Sequence, residues 1–151
     1  MARVLRALLV NAVFGFVVGG LAVLTFHQAT LGLLHGFGLV ANPPFRMAAT
    51  GPLGIPAVFN AAFWGGIWGI AIVPLAERLR GGRARVMAAL LLGAIGATAV
   101  AWFVVAPLKG LPMAAGWDPA AMWRGPLING AFGLGIGLIA PGLGALLGRT
   151  R

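Results

Sequence analysis

Four apolar runs, each about as long as a bilayer core is thick, constrain this chain more than any other feature. A hydrocarbon core about 30 Å thick needs roughly 20 apolar residues per crossing helix. The runs at residues 7–28, 56–75, 86–107 and 126–147 all reach that length. Hydrocarbon offers no water to backbone N–H and C=O groups, so each run is expected to close its own hydrogen bonds as an α-helix. Composition agrees, with 60% of the 151 residues hydrophobic and only 9% charged, far from the usage of soluble domains. The expected fold is all-α: an integral membrane four-helix bundle forming a single transmembrane domain over residues 1–151. Arg3 and Arg6 precede the first run as they would a signal peptide. The run is too long for a signal's apolar region and no small-x-small cleavage site follows, so it reads as a retained helix.

Eleven Lys and Arg residues stand against Glu77 and Asp118 alone, a net charge of +9. In a soluble protein that imbalance would point to nucleic acid. Here the arginines flank apolar runs, where they set orientation and meet anionic lipid, so the bilayer and not nucleic acid is the expected partner. Arg3, Arg6, Arg78, Arg80, Arg83, Arg85, Arg149 and Arg151 fall on one side of the four runs; Arg46, Lys109 and Arg124 fall on the other. Eight against three places both termini and the "ERLRGGRAR" connection in the cytoplasm. Glu77 reads as the local counter-charge of those arginines. Trp102, Trp117 and Trp123 mark the opposite, outer interface, while Trp64 and Trp68 sit deeper in the second run.

The two outer connections, "ANPPFRMAATGPLGI" and "LKGLPMAAGWDPAAMWRG", are rich in the helix breakers Pro and Gly. Asp118 followed by Pro119 has the form of an N-cap with proline at the first helical position, which predicts a short interfacial helix over about 118–124. The inner connection is only about ten residues long, so the second and third helices are expected to form a tight hairpin.

The halves of the chain resemble each other. "RVLRALL" at Arg3 matches "RVMAALL" at Arg85, "MAATGP" at Met47 matches "MAAGWDP" at Met113, and "FNAAFWGGIWG" at Phe59 matches "INGAFGLGIG" at Ile128, in the same order. A tandem duplication of a two-helix hairpin accounts for this, with both halves in one orientation. Small residues at four-residue spacing occur in every span: Gly15 and Gly19, Gly65 and Gly69, Gly93 and Ala97, Gly133 and Gly137. Such faces let helix backbones approach closely in lipid, where no hydrophobic drive separates a neighbouring helix from acyl chains. They predict internal packing, with some faces left for a second copy or a larger membrane complex.

Polar groups inside a hydrocarbon layer are candidates for function because each must find a partner or water. His27, Gln28, His35, Asn60, Trp64 and Asn129 form a candidate outer polar site, with Asn60 and Asn129 at matching repeat positions. Arg46, Lys109 and Arg124 are candidate headgroup contacts at the same level. A continuous helix would set His27 and His35 about 12 Å apart along its axis, poorly placed for one metal, which favours i, i+3 or i, i+4 ligands. No cofactor or metal is therefore expected. The chain has no cysteine, which excludes thiolate chemistry, and no catalytic spacing of His, Asp or Glu is recognisable.

The segments "LTFHQATLGLLH", "AFWGGIWG", "WFVVAPLKG" and "LINGAFGLGIG" resemble an uncharacterised family of small four-span bacterial inner-membrane proteins. That resemblance implies an inner-membrane location and transfers no activity. "FNAAFWGG" is faintly similar to a helix motif of fluoride channels, but the phenylalanine-rich broken third helix of that family has no counterpart in "LLLGAIGATAVAWFVV". The expected function is that of a non-enzymatic accessory or packing subunit of a membrane assembly with an outward-facing recognition surface. The alternative is a small transporter or channel whose outer-half cavity is lined by His27, Asn60 and Asn129.

Overall fold

The structure, a computed structural model describing residues 1–149, contains four helices long and apolar enough to cross a membrane: α1 (Ala2–Gly36), α2 (Ala57–Glu77), α3 (Gly82–Leu108) and α4 (Pro119–Leu146). This is the architecture of a multi-pass membrane protein. Large apolar side chains such as Leu5, Val13, Ile67, Ile95 and Leu138 cover the outside, the reverse of a soluble surface and the arrangement a lipid solvent selects. The interior is a smaller cluster that includes Val18, Ala22, Val23, Ile72, Val73, Phe132, Ile136 and Ala140.

Glycine decides how the helices pair. α1 runs antiparallel to α2, and a Cβ built on Gly15 would stand 2.7 Å from the carbonyl oxygen of Gly69, while one on Gly19 would overlap that of Gly65. α3 meets α4 in the same way: a Cβ on Gly93 would overlap the carbonyl of Asn129, one on Gly133 that of Ala89, and one on Gly137 would lie 2.8 Å from Val86 Cα. Glycines elsewhere make notches for large side chains. Phe16 of α1 seats over Gly66, and Phe26 of α1 over Gly135, which ties α1 to α4. The tightest seams thus join α1 to α2 and α3 to α4. The α2–α3 connection, residues 78–81, is shorter than expected, yet no comparable glycine seam lies between those two helices.

α1 continues through Gly32 and ends at Gly36. Its 35 residues correspond to about 52 Å, well beyond the apolar core. A π-helical turn at Val23–His27 interrupts it, and α3 carries two more, Leu92–Ala97 and Ala101–Val105. Such wide turns re-phase the faces on either side of them. The expected interfacial helix is instead the first turn of α4, Pro119–Met122, separated from Arg124–Leu146 by a one-residue break at Trp123. Asp118 caps that turn, its Oδ1 accepting from the Ala120 N–H at 3.0 Å.

One end of the bundle carries the N-terminus, residue 149 and the α2–α3 connection; we call it the terminal end. The other, the loop end, carries residues 37–56 and 109–118.

Candidate functional site

At the loop end, backbone N–H groups of the first connection are taken up by groups from the helices. Gln28, 4% exposed, accepts from the Phe45 N–H at 2.7 Å. Phe45 holds a positive φ of 52°, and Pro44 packs against Gly32, so the segment folds back over the end of α1. Residues Ala49–Thr50 then pair antiparallel with Ile55–Pro56. The Thr50 hydroxyl donates to the Ile55 carbonyl at 2.6 Å and accepts from Asn60 Nδ2 at 3.0 Å. Arg46 and Ala48 carbonyls receive the N–H groups of Val58 and Ala57, the first turn of α2.

The second connection is shaped by a left-handed turn in which Ala114, Ala115, Gly116 and Trp117 all have positive φ. Ala114 is fully buried inside it. Trp117 packs on Phe103 with centroids 6.1 Å apart, and Phe103 on Trp102 at 6.3 Å.

Five of the six candidate polar residues make separate contacts within the chain. Asn129 Nδ2 donates to Thr98 Oγ1 at 3.0 Å, and Thr98 is buried at 2% exposure. His35 Nδ1 lies 3.1 Å from the Val40 carbonyl as donor. Trp64 is exposed, edge-on to Phe63 at 5.6 Å. His27 Nδ1 is buried with no protein partner. Among the described residues no side-chain hydrogen bond joins any two of the six, and no group of three or more His, Asp or Glu is placed to hold a metal ion. The basic residues are also engaged locally. Arg46 donates to Asn42 Oδ1 at 2.9 Å and Arg124 lies 6.0 Å above the Trp123 ring, while Lys109 closes the end of α3 through its backbone N–H.

A concavity at the terminal end, a groove of about 510 Å³, is lined by Arg3, Arg6, Ala7, Val10, Asn11, Gly148 and Arg149. None of His27, Asn60 or Asn129 contributes to its wall. Its geometry follows from how α4 ends. Gly148, with φ 66°, takes the left-handed conformation that closes a helix with backward bonds: Gly148 N–H to the Ala145 carbonyl at 3.1 Å and Arg149 N–H to that of Gly144 at 2.9 Å. This reversal carries Arg149 back over the bundle. Its guanidinium stacks 3.7 Å from the Phe14 ring centroid, donates to Asn11 Oδ1 at 2.9 Å and lies 3.9 Å from Glu77 Oε2. Its second terminal nitrogen is buried without a protein partner. A planar guanidinium suits this combination of aromatic stacking and donation from one terminal nitrogen.

Sequence reasoning missed Thr98, Phe14, Asn11 and Arg149. Thr98 lies in "GATAV" with nothing to mark it as buried. Arg149 had a readable signal, a Gly-Arg pair directly after an apolar span, but its hydrogen-bond partner Asn11 is 138 positions away in sequence. Comparison with protein-family models, with characterised proteins and with solved structures finds no match for this chain.

Proposed function

We propose that the chain is a non-enzymatic accessory subunit of a larger membrane assembly in the bacterial inner membrane, with cytoplasmic termini and its recognition surface at the loop end. The observation that carries this reading is the loop end itself. Gln28, His35, Arg46 and Asn60 are hydrogen-bonded within the chain, while Phe37, Leu53 and Trp117 are 77%, 79% and 63% exposed. A surface whose backbone is already fixed loses little conformational freedom on binding, and exposed aromatic side chains are the usual anchors of interfaces. The charge count of eight against three supports the orientation. The separate glycine seams of α1–α2 and α3–α4 support an origin by duplication of a hairpin.

The transporter reading has one observation in its favour, the unpartnered buried nitrogen of His27. Against it, Asn60 and Asn129 each commit an amide N–H to a different threonine, and among the described residues no side-chain hydrogen bond joins them to each other or to His27. Purification in mild detergent from cells expressing the chain at native level tests the choice. A stoichiometric complex with another membrane protein is expected. A lone monomer that supports solute flux in vesicles, lost in Asn129→Ala, would replace this reading with the transporter.

A further inference from the structure

The groove at the terminal end combines a cationic and an apolar lining. Cationic Arg3, Arg6 and Arg149 line it together with the amide of Asn11 and the apolar side chains of Ala7 and Val10. Arg3, Arg6, Ala7 and Val10 recur at the three- and four-residue spacing of one helix face. That face continues along α1 as Val10, Val13, Val17 and Leu21, all exposed. From Val10 to Leu21 the rise is about 16 Å, close to half of a hydrocarbon core about 30 Å thick. The path therefore runs from the arginines to the depth of one leaflet.

Arg149 is fixed from three directions, by the Phe14 ring, Asn11 and Glu77. A Cβ built on Gly144 would make ordinary contact with both neighbours, 3.8 Å from Phe14 Cζ and 3.9 Å from Arg149 Cβ. The guanidinium so placed lines the groove beside Arg3 and Arg6, with one terminal nitrogen turned inward and buried. Guanidinium groups bind phosphate oxygens through paired, charge-assisted donation. Glu77 is the acidic side chain nearest Arg149 and offsets part of its charge, while Arg3 and Arg6 stand on the same wall of the groove.

We propose that this groove is a binding site for one anionic phospholipid, its phosphate held by Arg3, Arg6 and Arg149 and one acyl chain lying along Val10, Val13, Val17 and Leu21. The site does not depend on the accessory-subunit reading. Its consequence is that a lipid of one leaflet would clamp the start of α1 to the end of α4.

Native mass spectrometry of the full chain in mild detergent, titrated with phosphatidylglycerol or phosphatidylcholine, tests the proposal. One phosphatidylglycerol should be retained at roughly tenfold higher affinity than phosphatidylcholine. The double variant Arg3→Gln, Arg6→Gln changes only exposed side chains and should abolish that preference. The double variant Arg78→Gln, Arg80→Gln removes the same charge from the same end outside the groove and should leave it intact. Equal loss in both variants would mean diffuse attraction and overturn the site, as would equal retention of the two lipids. Inorganic phosphate at millimolar concentration should not displace the lipid; full displacement would make this a free-phosphate site and overturn the lipid assignment.

Discussion

Asn129 touches α3 twice: its carbonyl abuts Gly93 and its side-chain amide donates to the buried hydroxyl of Thr98 at 3.0 Å. Residues five apart on an α-helix point about 140° away from each other, so Gly93 and Thr98 would not ordinarily face one partner. The π-helical turn at Leu92–Ala97 lies between them and closes that angle. Asn129→Ala should therefore destabilise the protein by about 1 kcal/mol, and Thr98→Val by a similar amount. In a double-mutant cycle followed by unfolding in mixed micelles, the two losses should fail to add. Additive effects would show that the pair does not interact.

The α1–α2 seam predicts a steep dependence on one methyl group. Gly19→Ala places a Cβ onto the Gly65 carbonyl and should cost about 1–3 kcal/mol through forced separation of the backbones. Gly142→Ala, in α4 with open space around it, should be neutral or stabilising by up to about 1 kcal/mol through helix propensity. Thermal unfolding in detergent separates the two cases, and equal midpoints would contradict the seam.

Gln28 anchors the first connection through the Phe45 N–H. Gln28→Leu keeps an apolar fill but leaves that N–H without its acceptor, a loss of about 1–3 kcal/mol locally. Hydrogen exchange at Phe45 should quicken by about tenfold or more, with α2 and α4 unchanged. An unaltered exchange rate at Phe45 would show that the connection is held by other contacts.

The left-handed turn makes a prediction of opposite sign. Ala115 has φ 56°, a conformation that disfavours a side chain by about 1–2 kcal/mol. Ala115→Gly should raise stability, by less than that amount because glycine also loosens the unfolded chain. Ala114→Val, at a buried position with φ 48°, should lower it. Both changes are read by the same thermal unfolding assay.

The four spans were legible because the hydrocarbon layer imposes a length on apolar runs that few other contexts produce. Their ends were not. His27, Gln28 and His35 look like the exit from a helix, yet α1 continues to Gly36, because Gln28 is buried against Phe45 and Pro44 covers Gly32. The residues that hold Asn60 and Asn129, Thr50 and Thr98, carry no pattern of their own in the sequence. The terminal groove was illegible because Arg3, Asn11 and Arg149 meet only once four antiparallel helices bring both ends of the chain together. The π-helical turns have no signature in hydropathy, which cannot separate wide turns from ordinary ones.

Because the chain lacks cysteine, single cysteines report orientation directly. Leu53→Cys sits on the exposed first connection and Gly82→Cys at the start of α3 in open space. With cytoplasmic termini, a membrane-impermeant thiol reagent added outside spheroplasts should label Leu53→Cys alone, and inverted vesicles should reverse the result. Labelling of both from one side would contradict a single orientation.

Photo-crosslinking in intact membranes at native expression tests the central claim most directly. A photoreactive residue in place of Leu53 or Trp117 at the loop end should give one discrete adduct with another membrane protein, while the same group at lipid-facing Val13 should give none. No protein adduct from either loop position, or equal adducts from all three, would contradict a recognition surface at that end.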